Sequence, residues 1–123
     1  DSHIAFKDVH PEDYDGLIIP GGRSPEHIRM NENVPRIVSH FFEANKPIAS
    51  VCHGSLVLTT VPEHVKGREM TAYIACKPEV QAAGATYIDE MLHVDENLVS
   101  GHAWPDLPGV MKMFIEQLNN VRV

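Results

Sequence analysis

The chain has 123 residues, of which 43% are hydrophobic, so it has the length and apolar content of one domain with a single packed core. Its formal net charge of -7 at pH 7 argues against a nucleic-acid or anionic-membrane partner, because both are bound mainly through clustered Lys and Arg. No apolar run approaches the ~20 residues that a membrane-spanning helix requires. We therefore expect residues 1–123 to form one domain without a membrane segment.

The first part of the chain predicts a buried strand followed by a helix. Residues 4–6 are compatible with a short strand, and residues 16–19 are a better candidate. They are apolar throughout and stop at a Pro-Gly-Gly sequence, as a fully buried strand does. Ser24 followed by Pro25 predicts a helix start, because serine caps free amides and proline fits the first helical position.

The middle of the chain predicts a helix, a strand and a second helix in that order. The first helix begins at Val34, since apolar residues recur from there at helical spacing, and it ends near Asn45. Residues 47–51 predict the next strand, and residues 56–61 the second helix. The sharp turn between this strand and this helix begins at Cys52.

The last part of the chain predicts further strands and two helices. Residues 70–74 predict a strand, and residues 78–83 predict a short helix closed by a glycine. Residues 92–94 and 98–100 predict a hairpin across a polar turn. The final helix has one face formed by Val110, Met113, Phe114, Gln117 and Leu118. This alternation of apolar strands with amphipathic helices predicts an α/β fold, a parallel sheet flanked by helices.

Cys52 is the residue on which the predicted chemistry centres. A thiol at the start of a helix faces unpaired backbone amides, which favour the thiolate and therefore a nucleophile. The amide of His53 would point at a carbonyl oxygen under attack, and Gly54 allows the sharp turn. Gly21 and Gly22 form either a plain loop or a bare backbone that approaches a substrate at the sheet edge. The alternative is a purely structural role, in which Cys52 is a small core residue, as most buried cysteines are. Spacing alone does not decide between a structural and a functional role for Cys52 or for the two glycines.

The two cysteines and eight histidines do not form a recognisable metal motif. Cys52 and Cys76 are too few for a disulfide framework and do not form a C-x-x-C pair, so we expect free thiols in a reducing, cytoplasmic compartment. No H-E-x-x-H motif is present, and we predict no metal and no cofactor. The histidines that we expect to be solvated are His3, His10, His40 and His64.

Several stretches carry a resemblance to a known family. They are YDGLIIPGGRSPEHIR at residues 14–29, KPIASVCHG at residues 46–54 and KGREMTAY at residues 66–73. Together with KPEVQAAGATYID and NLVSGHAWPDLP, they make the chain resemble the ThiJ/PfpI superfamily over nearly its whole length, most closely its intracellular-protease branch. The resemblance implies a flavodoxin-like fold of the class I glutamine amidotransferase type and a homo-oligomer, a dimer or larger.

The resemblance also implies roles for single residues. It makes Cys52 the nucleophile and His53 its general-base partner. Glu26 matches the acidic residue that, in the protease branch, reaches this histidine from a neighbouring subunit. The amides of Gly22 and His53 match the groups that bind the oxyanion. The other substrate-binding positions that it implies are Gly21, Gly54 and Tyr73.

The chain departs from the family pattern at its start and near the site. Members of the family carry a βαβ unit before the point where this chain starts, and its first strand ends in a Glu that hydrogen-bonds the cysteine thiol. The resemblance therefore implies that residues 1–123 lack this unit and are part of a longer protein. Ser55 stands where Pro is usual, residues 60–64 differ from the usual connection, and His102 stands where a basic residue is often found.

Two classes of function fit these residues. The first is an enzyme that uses Cys52 covalently. One such enzyme is a hydrolase of the peptidase or amidase type, and the other is a glyoxalase III or deglycase that acts on small reactive aldehydes. The substrate of this first class is a small carbonyl compound or a peptide. The second is an oxidative-stress sensor or chaperone without turnover, in which the same cysteine is oxidised to sulfinic acid.

Overall fold

The protein is built around a four-stranded mixed sheet. The computed structural model describes residues 5–21 and 27–121, apart from the side chains of Trp104 and Val121. The strands, in chain order, are β1 (Leu17–Ile19), β2 (Ile48–Val51), β3 (Glu69–Met70), β4 (Thr86–Tyr87), β5 (Leu92–Asp95) and β6 (Leu98–Gly101). The main sheet has the order β1-β2-β6-β5, in which only β5 runs antiparallel to its neighbour. β3 and β4 form a separate parallel pair.

The helices lie between the strands along the chain, except that the last three strands follow one another directly. The helices are α1 (Val34–Glu43), α2 (Ser55–Leu58), α3 (Pro62–Val65), α4 (Lys77–Ala82) and α5 (Leu107–Val121). Short 3-10 turns cover Phe6–Asp8, Pro11–Asp13, Cys52–Gly54, Ile74–Cys76 and Trp104–Asp106. The predicted alternation of strands and helices is therefore confirmed, with one antiparallel edge strand in an otherwise parallel main sheet.

The two faces of the sheet pack against different helices. Ile48 on β2 and Leu98 on β6 join the larger core, which contains apolar residues of α1, α2 and α4. Ala49 and Val99, each one residue further along, point to the opposite face and pack with residues of α5. All four residues of β2 are buried, as expected for a central strand covered on both faces.

Several predicted elements are confirmed, some with shorter bounds. The helix from Val34 ends in a left-handed residue at Asn45, whose φ is 55°. The short helix expected at residues 78–83 is α4, closed by Gly84 at a φ of 93°. The strand at residues 16–19 is confirmed as β1, the one at residues 47–51 as β2, the hairpin as β5 and β6, and the final helix as α5.

Other predictions are wrong in part. Phe6 begins a 3-10 turn instead of ending a strand. The strand expected at residues 70–74 stops at Met70, because the backbone N–H of Thr71 bonds to the Ser100 hydroxyl, 2.9 Å away, and the chain then turns. The helix expected at residues 56–61 ends after Leu58, where the hydroxyls of two threonines bond back to carbonyls of the preceding turn.

Two of the histidines expected to be solvated are partly buried. The His64 ring stacks on Phe42 with 5.7 Å between centroids, and its Nε2 lies 3.5 Å from a Glu43 oxygen. The His40 Nε2 is 2.9 Å from the Lys46 Nζ. These expectations were wrong because an imidazole also offers an apolar face for packing.

His3 and the helix start predicted at Ser24 and Pro25 lie outside the described residues.

A partly buried polar network joins the β3–β4 pair to the main sheet. Arg68 donates hydrogen bonds to the Asp95 carboxylate at 2.9 Å, to the Asp95 carbonyl at 2.7 Å and to the Asn97 side chain at 2.9 Å. The Glu69 backbone N–H donates to the same carboxylate at 2.8 Å. Burial acts to raise the pKa of Asp95, but these hydrogen bonds and the Arg68 charge outweigh it and hold the pKa below its ordinary value.

A search of the described helices for a membrane-spanning segment found none of sufficient length and hydrophobicity.

We predict that Asp95→Asn destabilises the protein by about 1–2 kcal/mol at neutral pH, because Arg68 then loses a partly buried anionic partner. The folded-state pKa of Asp95 lies below the unfolded one, so its stabilisation is present above the ordinary carboxyl range and is lost as the pH falls through the folded-state pKa. Urea unfolding of the wild type and the variant, at neutral and at acidic pH, measures the difference in their free energies of unfolding. Glu116→Gln, at an exposed position of α5, is the control. A difference between wild type and Asp95→Asn that does not shrink in acid contradicts the prediction.

Candidate active site

Cys52 occupies a strained turn between the central strand and a helical segment. Val51 is extended, at φ -135° and ψ 138°, and Cys52 follows with a φ of 59° before the chain enters the 3-10 turn and α2. A positive φ costs a residue with a Cβ about 1–2 kcal/mol. The other described non-glycine residues with positive φ, Asn45 and Glu96, lie at a helix end and in the hairpin turn, where such a backbone is common. The strain at Cys52 has no such local role, and strained residues cluster at functional sites.

The thiol of Cys52 has a histidine next to it. Its Sγ lies 3.3 Å from the His53 Nδ1, within the hydrogen-bond range for sulfur. Both side chains are partly buried and partly exposed, so a small reagent can reach them. A cysteine in contact with an imidazole that can take its proton is the arrangement of an activated nucleophile. The structure therefore brings together the two residues that the sequence predicted as catalytic.

Two further aromatic rings extend outward from His53. The Tyr73 ring stacks on the His53 ring, with 5.2 Å between centroids, and the His102 ring lies 5.7 Å beyond Tyr73. The Tyr73 backbone N–H also donates to the Cys52 carbonyl, 3.3 Å away. Tyr73 therefore contacts both the backbone of the turn and the imidazole, which agrees with a place in the site.

The sequence analysis named His102 among the departures from the family pattern near the site, and the register of the sheet explains why it lies there. Cys52 directly follows β2 and His102 directly follows β6, and the last residues of these parallel strands, Val51 and Gly101, are partners in register. Residues that follow neighbouring parallel strands meet at one edge of the sheet, where α/β proteins bind ligands.

Two glycines let β1 approach the turn closely. A Cβ on Gly21 would lie 2.8 Å from the Cys52 Cβ and 3.5 Å from its Sγ. A Cβ on Gly54 would lie 2.5 Å from the Ile19 carbonyl oxygen, closer than real Cβ contacts allow. The loop after β1 therefore lies directly against Cys52. The sequence analysis expected Gly54 because the turn is sharp, but its φ of -57° is ordinary for any residue, and it is the contact with Ile19 that leaves no room for a side chain there. Substrate binding by Gly21 and Gly54 remains a prediction. Gly22 and Glu26 lie outside the described residues, and their roles remain predictions.

Within the described ranges, the structure shows no group of three or more histidine, cysteine, aspartate or glutamate side chains placed to hold a metal ion. The side chains that the structure brings together at the described site are a thiol, an imidazole and a phenol.

Comparison with known proteins assigns the chain to a family. The sequence profile of the DJ-1/PfpI family matches residues 2–117. The chain is 45% identical over 105 residues to an uncharacterised protein of Archaeoglobus fulgidus, covering 85% of this chain and 62% of that protein. It is 40% identical over 115 residues to a deglycase of Thermococcus kodakarensis, covering 94% of this chain and 69% of the deglycase. The chain thus spans about two thirds of the length of these relatives.

Solved structures agree with the fold. A two-domain protein of Anabaena variabilis, with DJ-1/ThiJ/PfpI-like and ferritin-like domains, superposes with a TM-score of 0.88 at 33% identity, over 93% of this chain and 32% of that one. A ThiJ/PfpI domain protein of Brachyspira murdochii gives a TM-score of 0.86 at 16% identity, over 94% of this chain and 66% of that one. The predicted flavodoxin-like α/β fold is therefore confirmed.

We predict that iodoacetamide modifies Cys52 in the folded protein at least about tenfold faster than Cys76, because Cys52 is partly exposed whereas Cys76 is buried and must await local opening. Peptide mapping by mass spectrometry after timed labelling measures both rates. Denatured protein, in which the two rates should converge, is the control. Equal rates in the folded state would show that the thiol of Cys52 is not accessible as described.

We predict that Gly54→Ala destabilises the protein by about 1–3 kcal/mol, because the new methyl group must displace the Ile19 carbonyl of β1. Gly67→Ala is a matched control, since its methyl group meets nothing within 4 Å and only its φ of 79° opposes the change. Urea unfolding of both variants gives the comparison. A smaller loss for Gly54→Ala than for Gly67→Ala contradicts the close approach of β1 to the turn.

Proposed function

The chain belongs to the DJ-1/PfpI family, and on this premise we propose that it is the catalytic part of a cysteine-dependent enzyme of the glyoxalase III or deglycase type. Its substrates would be small 2-oxoaldehydes such as methylglyoxal and glyoxal. The observation that carries the proposal is the strained, partly exposed Cys52 with its Sγ 3.3 Å from an imidazole nitrogen. The deglycases of Thermococcus kodakarensis and Pyrococcus furiosus, 40% and 37% identical to this chain, support the choice of reaction.

In the first step, the Cys52 thiol loses its proton to His53 and the sulfur attacks the aldehyde carbon of the substrate. A carbon–sulfur bond forms, and the carbonyl electron pair moves to the oxygen, which takes a proton to give a hemithioacetal. The imidazole is close enough to act as the base and then as the acid. The developing oxyanion would be held by backbone amides of His53 and Gly22, as the sequence predicts.

In the second step, a proton moves from the former aldehyde carbon to the neighbouring ketone carbon through an enediol. The first carbon is thereby oxidised to a thioester and the second is reduced to an alcohol, so no external oxidant or reductant takes part. Water then cleaves the thioester to release lactate from methylglyoxal, or glycolate from glyoxal, and restores the thiol. His53 lies where it can carry a proton in both steps.

We propose a small substrate in preference to a peptide, because two parts of the chain pack close to Cys52 and His53. The loop after β1 lies against Cys52 at Gly21, and the Tyr73 ring lies on His53 from another side. A peptidase needs an extended groove across the nucleophile, whereas a 2-oxoaldehyde needs only a small pocket. Peptide cleavage and non-catalytic sensing by Cys52 are therefore alternative outcomes of the test below.

The proposal also covers the cellular compartment and the oligomeric state of the enzyme. We place it in the cytoplasm, where a nucleophilic thiol stays reduced. We propose a homo-oligomer in which Glu26 of a neighbouring subunit reaches His53, in keeping with the resemblance of the sequence to the protease branch. An acidic group there would orient the imidazole and stabilise its protonated form.

We predict that Cys52→Ser, in the protein expressed from its complete reading frame, reduces methylglyoxal consumption to the uncatalysed rate. His53→Asn should reduce kcat by about 100-fold or more, because general-base catalysis contributes this much. Lactate formation from methylglyoxal gives both values. His10→Asn, at an exposed position remote in sequence from the site, is the matched control and should be fully active.

Full activity of Cys52→Ser would overturn the enzymatic role of this thiol. Wild-type cleavage of peptides with no turnover of methylglyoxal would assign the site to a peptidase. A wild type inactive on both substrates, with Cys52 readily oxidised to the sulfinic acid, would assign it to a sensor.

A further inference from the structure

A cavity that the proposed reaction does not use lies at the end of the sheet opposite Cys52. Asn45 and Pro47 line it from the segment just before β2, and Glu96 and Asn97 from the turn just before β6. Because β2 and β6 are parallel, they start at the same edge of the sheet, whereas Cys52 follows the last residue of β2 at the other edge. The cavity is therefore separate from the candidate active site.

The cavity has the size and lining of a site for a small polar ligand. Its volume is about 580 Å3, within the ~300–1,000 Å3 of pockets that bind small molecules. The described residues that line it are Asn45, Pro47, Glu96, Asn97, Gln117 and Asn120. Four of them carry a side-chain amide, one carries a carboxylate and none is basic. An amide both donates and accepts hydrogen bonds, so this lining suits a ligand with hydroxyl groups, which do the same.

The more buried part of the lining is held in place by hydrogen bonds. The side chain of Asn97, only 6% exposed, accepts from Arg68 at 2.9 Å and donates to the Lys46 carbonyl at 2.8 Å. The Nε2 of Gln117 donates to the Glu96 carbonyl at 2.7 Å. Because a carbonyl can only accept, this bond fixes the orientation of the Gln117 amide. Side chains fixed before a ligand arrives lose less entropy when it binds.

One acceptor at this cavity has no partner. The Oε1 of Gln117 is shielded from solvent and accepts no hydrogen bond from any described residue. Buried polar atoms in folded proteins are rarely left in this state, because an acceptor without a donor has lost its hydrogen bonds to water and gained none. A ligand that donates a hydrogen bond to Gln117 would satisfy this oxygen.

The electrostatics of the cavity favour a positive charge. Glu96 has an exposed side chain that forms no ion pair with another described residue. The C-terminal end of α5, which bears the partial negative charge of a helix dipole, reaches the cavity at Asn120 and has no basic residue in its last turn. A bare metal ion matches this site poorly, because Ca2+ requires about six to eight oxygen ligands close around it and the cavity has room for a larger molecule.

We propose that this cavity binds an amino sugar, a ligand with one ammonium group and several hydroxyl groups. The ammonium group donates to the Glu96 carboxylate, and a neighbouring hydroxyl group donates to the Gln117 Oε1. The amides of Asn45 and Asn120 exchange hydrogen bonds with the other hydroxyl groups, and Pro47 faces the carbon skeleton of the ring. One carboxylate thus matches the single charge of the ligand, and the amides match its hydroxyl groups.

The test compares ligands that differ in charge and in hydroxyl content. Glucosamine, glucose, N-acetylglucosamine and putrescine are titrated into the protein expressed from its complete reading frame. Saturation-transfer difference NMR follows binding at mildly acidic pH, where glucosamine carries its ammonium group. We expect saturable binding of glucosamine with a Kd at least about tenfold below those of the two neutral sugars, because a hydrogen bond to a charged group provides this much. Putrescine has ammonium groups without hydroxyl groups and should also bind more weakly.

Two variants assign the contacts. Glu96→Gln should remove the preference for glucosamine over glucose, and Asn120→Ala should weaken the binding of both sugars. Glu116→Gln and Asn119→Ala make the same chemical changes at exposed positions of α5 outside the lining, so they are matched controls and should bind glucosamine as the wild type does. Circular dichroism shows that each variant is folded, which the exposed positions of all four residues lead us to expect.

Three outcomes would overturn the inference. The first is no saturable binding of glucosamine by the wild type, and the second is a preference for glucosamine that Glu96→Gln leaves unchanged. The third is binding of putrescine as tight as that of glucosamine, because the cavity would then recognise an amine regardless of hydroxyl groups. Each of these results leaves the proposed function standing, since Cys52 lies at the opposite edge of the sheet.

Discussion

The candidate site depends on the backbone of one residue, Cys52. Its left-handed conformation turns the chain from the buried strand β2 into a helical segment within a single residue, and so holds the thiol beside the next side chain. The strain is balanced by packing around it, because β1 contacts the turn at two glycines and the Tyr73 amide binds the Cys52 carbonyl. These contacts fix the position of the thiol relative to the His53 ring.

The parallel register of the sheet decides what surrounds this turn. β1, β2 and β6 end side by side, so the residues that follow them, Gly21, Cys52 and His102, gather at one edge. Tyr73 reaches the same edge from the segment after β3, and its ring separates the two histidines. The three strands thus form one support, and the candidate site residues lie in the short segments that follow them.

His53 contacts several parts of the candidate site. One side of its ring faces the thiol and another faces Tyr73, and its side chain also borders a small cavity that Arg29 and Glu79 line. An imidazole in this position is placed to take a proton from the sulfur, whichever substrate the site accepts.

The sequence by itself determined the order of elements, the central strand β2, the amphipathic helix α1, the β5–β6 hairpin and the neighbouring candidate residues Cys52 and His53. These follow from local periodicity and from neighbours in the chain, which a linear pattern records. Only the tertiary structure decided where β3 stops, how the histidines stack and which charges share a cavity with His53. The physical reason is that such contacts join residues far apart in sequence, such as Thr71 with Ser100 and Arg68 with Asp95. Their partners are selected by packing across the sheet, and no local pattern encodes them.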